Sequence, residues 1–146
     1  MSSRLVCGSP QRILIVRLSA IGDTILTSPL LAAIRDHLPE AEVDWVVEPK
    51  SRPVVEMCEG VSRIWTFPRI IFPHQAIASP RRGAQLFHDL SALHRQMLER
   101  GYAAALDVQG LFKSGVAAAV SGARWRVGWR PADCREGNFF FTNHWM

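Results

Sequence analysis

An α/β domain, a parallel sheet with helices on both faces, is the fold class that this 146-residue sequence predicts, and three observations predict it. The run from Ile13 to Val16 is continuously apolar and rich in β-branched side chains, the pattern of a strand covered on both faces. It leads past Ser19 into Gly22 and Asp23, a strand-to-helix turn. Further short apolar runs then alternate with amphipathic stretches over short connections, which argues for parallel strands joined by crossover helices.

Each element follows in order. Residues 1–11 carry Ser, Gly and Pro without periodicity and read as a flexible leader. Ile13 to Leu18 is the first strand. Thr24 to Leu38 repeats apolar residues at Leu26, Leu30, Ile34 and Leu38, one helical stripe that should pack on the sheet. Pro29 leaves two readings open: the helix starts late, with Ser28 as cap and Pro29 as its first residue, or it starts early and is kinked. Val43 to Val47 reads as the second strand, Val54 to Cys58 as a short helix and Arg63 to Phe67 as the third strand. Pro68 to Gly83, with Pro73, Pro80, Arg69, Arg81 and Arg82, reads as a basic loop of a length that is uncommon unless functional or disordered. Leu86, Leu90, Leu93 and Met97 mark an amphipathic helix over Ala84 to Arg100, closed by Gly101. Ala103 to Val108 is another buried strand, Leu111 to Val120 another helix, and Arg126 to Trp129 a last strand. Trp125, Trp129, Phe139, Phe140 and Phe141 then crowd the end of the chain, either as core or as a surface that meets something else.

Composition narrows the function classes. Apolar residues make up 48% and charged residues 21%, values of a globular domain long enough to bury a core. A net charge of +4 suits an anionic partner but, with no nucleic-acid motif, implies no nucleic acid. Cys7, Cys58 and Cys134 are odd in number and far apart, which suggests a reducing cytoplasm rather than a disulfide framework or a zinc site. His37, His74, His88, His94 and His144 show no ligand spacing, so no metal is expected. The start around Cys7 lacks the apolar segment of an export signal, and Val116 to Val120 is far short of the roughly 20 residues that span a bilayer. Any membrane contact is expected to be peripheral.

Ligands in open α/β sheets bind outside the carboxyl ends of the strands. That rule singles out Ser19, Gly22 and Asp23 after the first strand, and Asp107, Gln109, Gly110, Lys113 and Ser114 after the strand from Ala103. The second group is not a nucleotide phosphate loop, because Phe112 stands where that motif needs glycine before Lys113. Asp23 has two readings, a carboxylate that caps its helix or a general base. Gly22 either permits a positive φ or a close backbone approach, or is an ordinary turn glycine. Lys113 reads as a contact for phosphate or carboxylate or as a solvated helix lysine, and Arg135 as a bidentate anion ligand or as a surface partner of Glu136 or Asp133.

The segment from Arg12 through Asp23 and its helix, the block Val43 to Glu48, Tyr102, the block Asp107 to Ser114, and Arg135-Glu136 with Asn143 occur in the order found in a known family. On these residues the chain resembles the ADP-heptose:lipopolysaccharide heptosyltransferases of glycosyltransferase family 9, particularly the heptosyltransferase I type, over residues 12–146. The resemblance implies the N-terminal, Rossmann-like, acceptor-binding domain of a two-domain GT-B enzyme, without the C-terminal domain that holds most of the ADP-heptose. It implies transfer of heptose with inversion to the Kdo inner core of lipid A, at the cytoplasmic face of the inner membrane, with no metal or cofactor. By the same resemblance Asp23 is the general base. Arg135 lies in the acceptor site, Arg69, Arg81 and Arg82 form a basic acceptor loop, and Ser19, Gly22, Gln109, Gly110, Lys113 and Ser114 line the substrate cleft. Two other readings fit the same residues: a non-catalytic acceptor-binding module, and a related sugar-nucleotide transferase with another acceptor.

Overall fold

The computed structural model describes residues 11–69, 79–134 and 136–146. The leader, the stretch 70–78 and Arg135 lie outside the described residues, and with them the expectations for Arg135 and for the middle of the basic loop. Within the described residues, β1 (Arg12–Val16), β2 (Glu42–Val47), β3 (Arg63–Thr66), β4 (Ala104–Asp107), β5 (Trp125–Gly128) and β6 (His144–Trp145) form one sheet in the order β3-β2-β1-β4-β5-β6. Every neighbouring pair is parallel. The chain steps outward from β1 to β3, returns to the other side of β1 as β4, and steps outward the opposite way. The order therefore reverses between β1 and β4, where a doubly wound sheet opens its binding crevice.

Among the described residues four α-helices cover the faces: α1 (Ile21–His37), α2 (Arg52–Glu56), α3 (Pro80–Arg100) and α4 (Phe112–Val120). Side chains alternate along a strand, and β1 uses both sides. Ile13 and Ile15 pack with Leu31, Ile34 and Val55 from α1 and α2, while Leu14 and Val16 pack with Leu93, Met97, Ala117 and Ala118 from α3 and α4. Such a strand must be apolar throughout, which is why its sequence shows no alternation.

One open reading is decided and two expectations are corrected. The first helix begins at Ile21 and runs through Pro29, so it does not start late at Ser28. The proline has no N–H to give the Ile25 carbonyl, and the Ser28 hydroxyl donates to that carbonyl instead, at 2.8 Å. The buried positions of α1 are Thr24, Leu31 and Ile34, with Leu30 and Leu38 partly buried beside them, whereas Leu26 is 78% exposed. Leu26 and Thr24 are two residues apart, about 200° around the helix, so both cannot face the sheet. Helix α3 begins at Pro80 rather than Ala84, a proline at the first helical position costing nothing because its N–H would be unpaired anyway. Arg81 and Arg82 are therefore exposed residues of the first helical turn, not of a loop, while Arg69 lies exposed after β3. The short β6 was not anticipated. Asn143 fastens it to β5, accepting from the Arg126 N–H at 2.7 Å and donating to the Arg124 carbonyl at 3.0 Å.

At the amino edge of the sheet sits a buried polar network. Asp44 is fully buried and takes two bonds from Arg100, at 2.8 and 3.1 Å, and one from the Tyr102 hydroxyl at 2.5 Å. Trp65 Nε1 donates to Tyr102, and Glu42 pairs with both Arg100 and Arg12. The tyrosine hydroxyl is pushed above its ordinary range, first by burial and then by its bond to Asp44. The Arg12 hydrogen bond holds the Glu42 carboxyl below its ordinary range.

Candidate active site at the carboxyl edge of β1 and β4

Val16 is in register with Asp107, so the turns after β1 and β4 leave the sheet side by side. Asp107 builds the second turn from within. Fully buried, it accepts from the N–H groups of Gln109 and Gly110 at 2.9 and 3.1 Å, from the Ser114 hydroxyl at 2.9 Å and from Asn138 Nδ2 at 2.8 Å. These donors satisfy a carboxylate that burial would otherwise penalise heavily. Ser114 also accepts from the Leu111 N–H at 3.0 Å and is itself fully buried. It holds the turn from within, its hydroxyl already bonded to Asp107 and to the Leu111 carbonyl.

Gly110 has φ +75°, and a Cβ there would lie 2.8 Å from Trp129 Cδ1. Glycine is needed twice over, for the left-handed backbone and for the indole against it. Gly22 differs. It is helical without a positive φ, and no atom lies within 4 Å of where its Cβ would be, so its contribution is open space beside Asp23.

Gln109 ties the two turns together: its Oε1 accepts from the Leu18 N–H at 2.8 Å. Leu18 in turn accepts from the Glu48 N–H at 2.9 Å, which draws in the end of β2. Lys113 reaches back from the first turn of α4 to Glu48 Oε1 at 2.7 Å and to Ser19 Oγ at 2.8 Å. It serves as a strut between three strand ends, with its side chain 27% exposed. Glu48 was not singled out as a site residue, although it stands just past β2, where the rule that selected Asp23 also applies.

Asp23 lies in the first turn of α1 and does not cap it; Ala20 occupies the cap position, with no side-chain bond. Its side chain is 52% exposed and pairs through Oδ2 with Arg17 Nη2 at 2.5 Å. Arg17 is held by a second bond, from Nη1 to the Val108 carbonyl at 2.9 Å. One carboxylate oxygen of Asp23 is thus oriented by the second turn, while half of the side chain stays open to solvent. Nothing in its sequence context singles out Arg17, whose partners come from the turns after β1 and β4. Arg135 lies outside the described residues, but its neighbour Glu136 accepts from the Phe112 N–H at 3.3 Å, at the N-terminus of α4. Among the described residues no three His, Cys, Asp or Glu side chains are grouped to hold a metal ion.

No protein-family model matches the chain. It is 21% identical over 135 residues to the lipopolysaccharide core heptosyltransferase OpsX of Haemophilus influenzae, and 26% identical over 133 residues to lipopolysaccharide heptosyltransferase 1 of Escherichia coli K12. These alignments take in 92% and 90% of the chain but only 35% and 40% of the two relatives, so the chain spans little more than a third of their length. Among solved structures, Escherichia coli heptosyltransferase WaaC with ADP matches with a TM-score of 0.74 and 27% identity, over 93% of this chain and 41% of that one. A glycosyltransferase family 9 protein from Veillonella parvula shares the fold, with a TM-score of 0.71 at 18% identity, over 94% of this chain and 36% of its own. In sequence and in fold, the chain resembles the N-terminal part of the lipopolysaccharide heptosyltransferases.

Proposed function

We propose that this chain is the acceptor-binding part of an inverting glycosyltransferase that moves heptose from ADP-heptose to the Kdo inner core of lipopolysaccharide, with Asp23 as general base. The observation that carries the reading is the position of Asp23: half exposed at the switch point of a doubly wound sheet, with one oxygen anchored by Arg17 and open space at Gly22 beside it.

The chemistry follows from that geometry. An acceptor hydroxyl approaching Asp23 passes its proton to the carboxylate as its oxygen bonds to the anomeric carbon, while ADP departs with the bonding electrons from the opposite face. Attack opposite the leaving group inverts the anomeric centre. Arg17 fixes the carboxylate, and Gln109, Lys113 and Ser19 hold the two turns at constant separation, so the base does not wander from the hydroxyl. ADP-heptose itself is assigned to a second half outside this chain, and the reaction to the cleft between the two. The exposed Ile21, Ile25 and Leu26 of α1 supply apolar surface, and the exposed Arg81 and Arg82 of α3 cationic surface, of the kinds that suit peripheral contact with the cytoplasmic membrane face that carries the acceptor. Among the described residues no helix is long and apolar enough to cross a membrane.

The test is transfer from ADP-heptose to Kdo-lipid A by a protein joining this chain to a donor-binding half, with the anomeric configuration of the product determined. An inverted heptoside supports the reading. A retained configuration, or absence of transfer alongside intact ADP-heptose binding, contradicts it.

A further inference from the structure

The parallel pairing of β1 with β2 ends in a step. The Arg17 N–H donates to the Val46 carbonyl at 3.4 Å, so an unbroken ladder would return the Glu48 N–H to the Arg17 carbonyl. Glu48 donates instead to Leu18, one residue further on, at 2.9 Å. The carbonyl that the ladder skips accepts from the indole N–H of Trp45 at 3.3 Å. Trp45 is fully buried on β2, in register with Ile15 and packed in the core cluster beneath α1 and α2. We propose that Trp45 is a positioning residue for the candidate base: by taking the Arg17 carbonyl, its indole N–H holds the end of β1 in the stepped register from which Arg17 orients Asp23.

Three features of this strand end give the indole that role. A carbonyl dropped from a ladder needs another donor, and the nearby Glu48 N–H is already spent on Leu18. Trp45 suits the place because indole donates without accepting and its ring is fixed by packing. The stepped residues are also those that tie the turns together. Leu18 donates to Gln109 Oε1 at 2.8 Å, and Glu48 takes Lys113 at 2.7 Å, so a return to the unbroken ladder would pull against both bonds. Arg17, finally, is tethered at its tip alone. Nη1 reaches the Val108 carbonyl and Nη2 reaches Asp23, while Nε is buried without a partner among the described residues. Where the guanidinium ends therefore depends on where its backbone starts. Irregular pairing beside a site is a recurrent way of aiming a side chain.

The positioning role rests on the reading of Asp23 as general base, and the test separates the two. Heptose transfer is measured in a protein joining this chain to a donor-binding half, for Trp45→Phe, Asp23→Asn, the double variant and Val43→Ala. Val43 belongs to the same core cluster at the opposite end of β2, so its truncation controls for lost packing. Trp45→Phe is expected to lower kcat roughly tenfold to a hundredfold, the scale of a small misplacement of a reacting group, with KM for ADP-heptose unchanged. Val43→Ala should lower the melting temperature without lowering kcat. Because Trp45 acts through the base, adding Trp45→Phe to Asp23→Asn should cause no further loss. The register is read separately on the 146-residue chain by NMR couplings across hydrogen bonds. The Glu48 amide nitrogen should couple to the Leu18 carbonyl in the parent and to the Arg17 carbonyl in Trp45→Phe. If Trp45→Phe does not fold, benzothienylalanine at residue 45, which keeps the indole's shape without its N–H, replaces it in both measurements. The proposal is overturned by an equal kcat loss in Val43→Ala, by losses that multiply in the double variant, or by Glu48 coupling to Leu18 with and without the indole N–H. Transfer lost in Asp23→Asn but kept in Trp45→Phe sinks the positioning role alone, whereas transfer kept in Asp23→Asn sinks the general-base reading.

Discussion

The two edges of the sheet each hold an arginine against an aspartate, and they use the pair in opposite ways. At the amino edge Asp44 is wholly buried and takes three bonds, from Arg100 and Tyr102, while Trp65 and Glu42 complete the network. At the carboxyl edge Asp23 is 52% exposed and, among the described residues, its side chain takes one partner, Arg17. A carboxylate surrounded by fixed donors has no capacity left for a ligand, whereas one bound on a single oxygen keeps the other for chemistry. The same pair of residue types is therefore a structural clamp at one edge and a candidate site at the other, and what separates them is exposure and the count of partners.

The comparison breaks most visibly under substitution at the buried pair. Arg100→Met leaves the Asp44 carboxylate buried and short of its cation, and should destabilise the fold by about 3 kcal/mol. Urea unfolding measures it; a change below about 1 kcal/mol would mean that water replaces the guanidinium and that the edge is not a clamp.

Tyr102 gives a pH-dependent version of the same test. Burial raises its folded value above the ordinary 10.0, so the neutral hydroxyl stabilises the fold fully below that pH and the contribution is lost as pH rises beyond it. The melting temperature should fall above pH 10 in the parent and fall less in Tyr102→Phe, which starts about 1 kcal/mol lower because Asp44 and Trp65 each lose a partner. Glu42 acts in the opposite window: its lowered value contributes stability above the ordinary 4.5 that is lost as pH falls through the folded value. In Glu42→Gln the acid side of the melting profile should flatten.

Smaller effects are expected at the carboxyl edge. Lys113→Met removes a partly exposed strut from Glu48 and Ser19 and should cost no more than about 1 kcal/mol. Its main consequence should be looser acceptor binding, read by calorimetry. Neutralising Arg81 and Arg82 should weaken acceptor binding only at low salt, since exposed charges are screened beyond roughly 8 Å at physiological ionic strength. Equal loss at high salt would place those arginines in a desolvated contact instead.

What could be read before folding follows the same division. Strands such as Ile13 to Val16 were legible because burial on both faces forces an unbroken apolar run. The placement of Asp23 and Gln109 just past β1 and β4 was legible because a parallel sheet sets its connecting turns at the carboxyl ends of its strands. The register of α1 was not, since Ile25-Leu26 and Leu30-Leu31 offer two stripes, and only the packed sheet chooses Leu31 over Leu26. Arg17 and Glu48 were passed over because their importance lies in partners 6 and 65 residues away. Asp44 carried an unread signal: a carboxylate inside an apolar strand requires a buried partner, which Arg100 and Tyr102 supply.

The central claim, that Asp23 is exposed for chemistry rather than for stability, is tested most directly by Asp23→Asn in a protein joining this chain to a donor-binding half. Heptose transfer and thermal melting are measured on the same preparation. The amide keeps the shape and a hydrogen bond to Arg17 but cannot take a proton, so transfer should fall by a factor of roughly 100 or more while melting changes by no more than a surface pair allows. Transfer close to the parent's at unchanged melting would contradict the account, leaving Asp23 as only an exposed partner of Arg17.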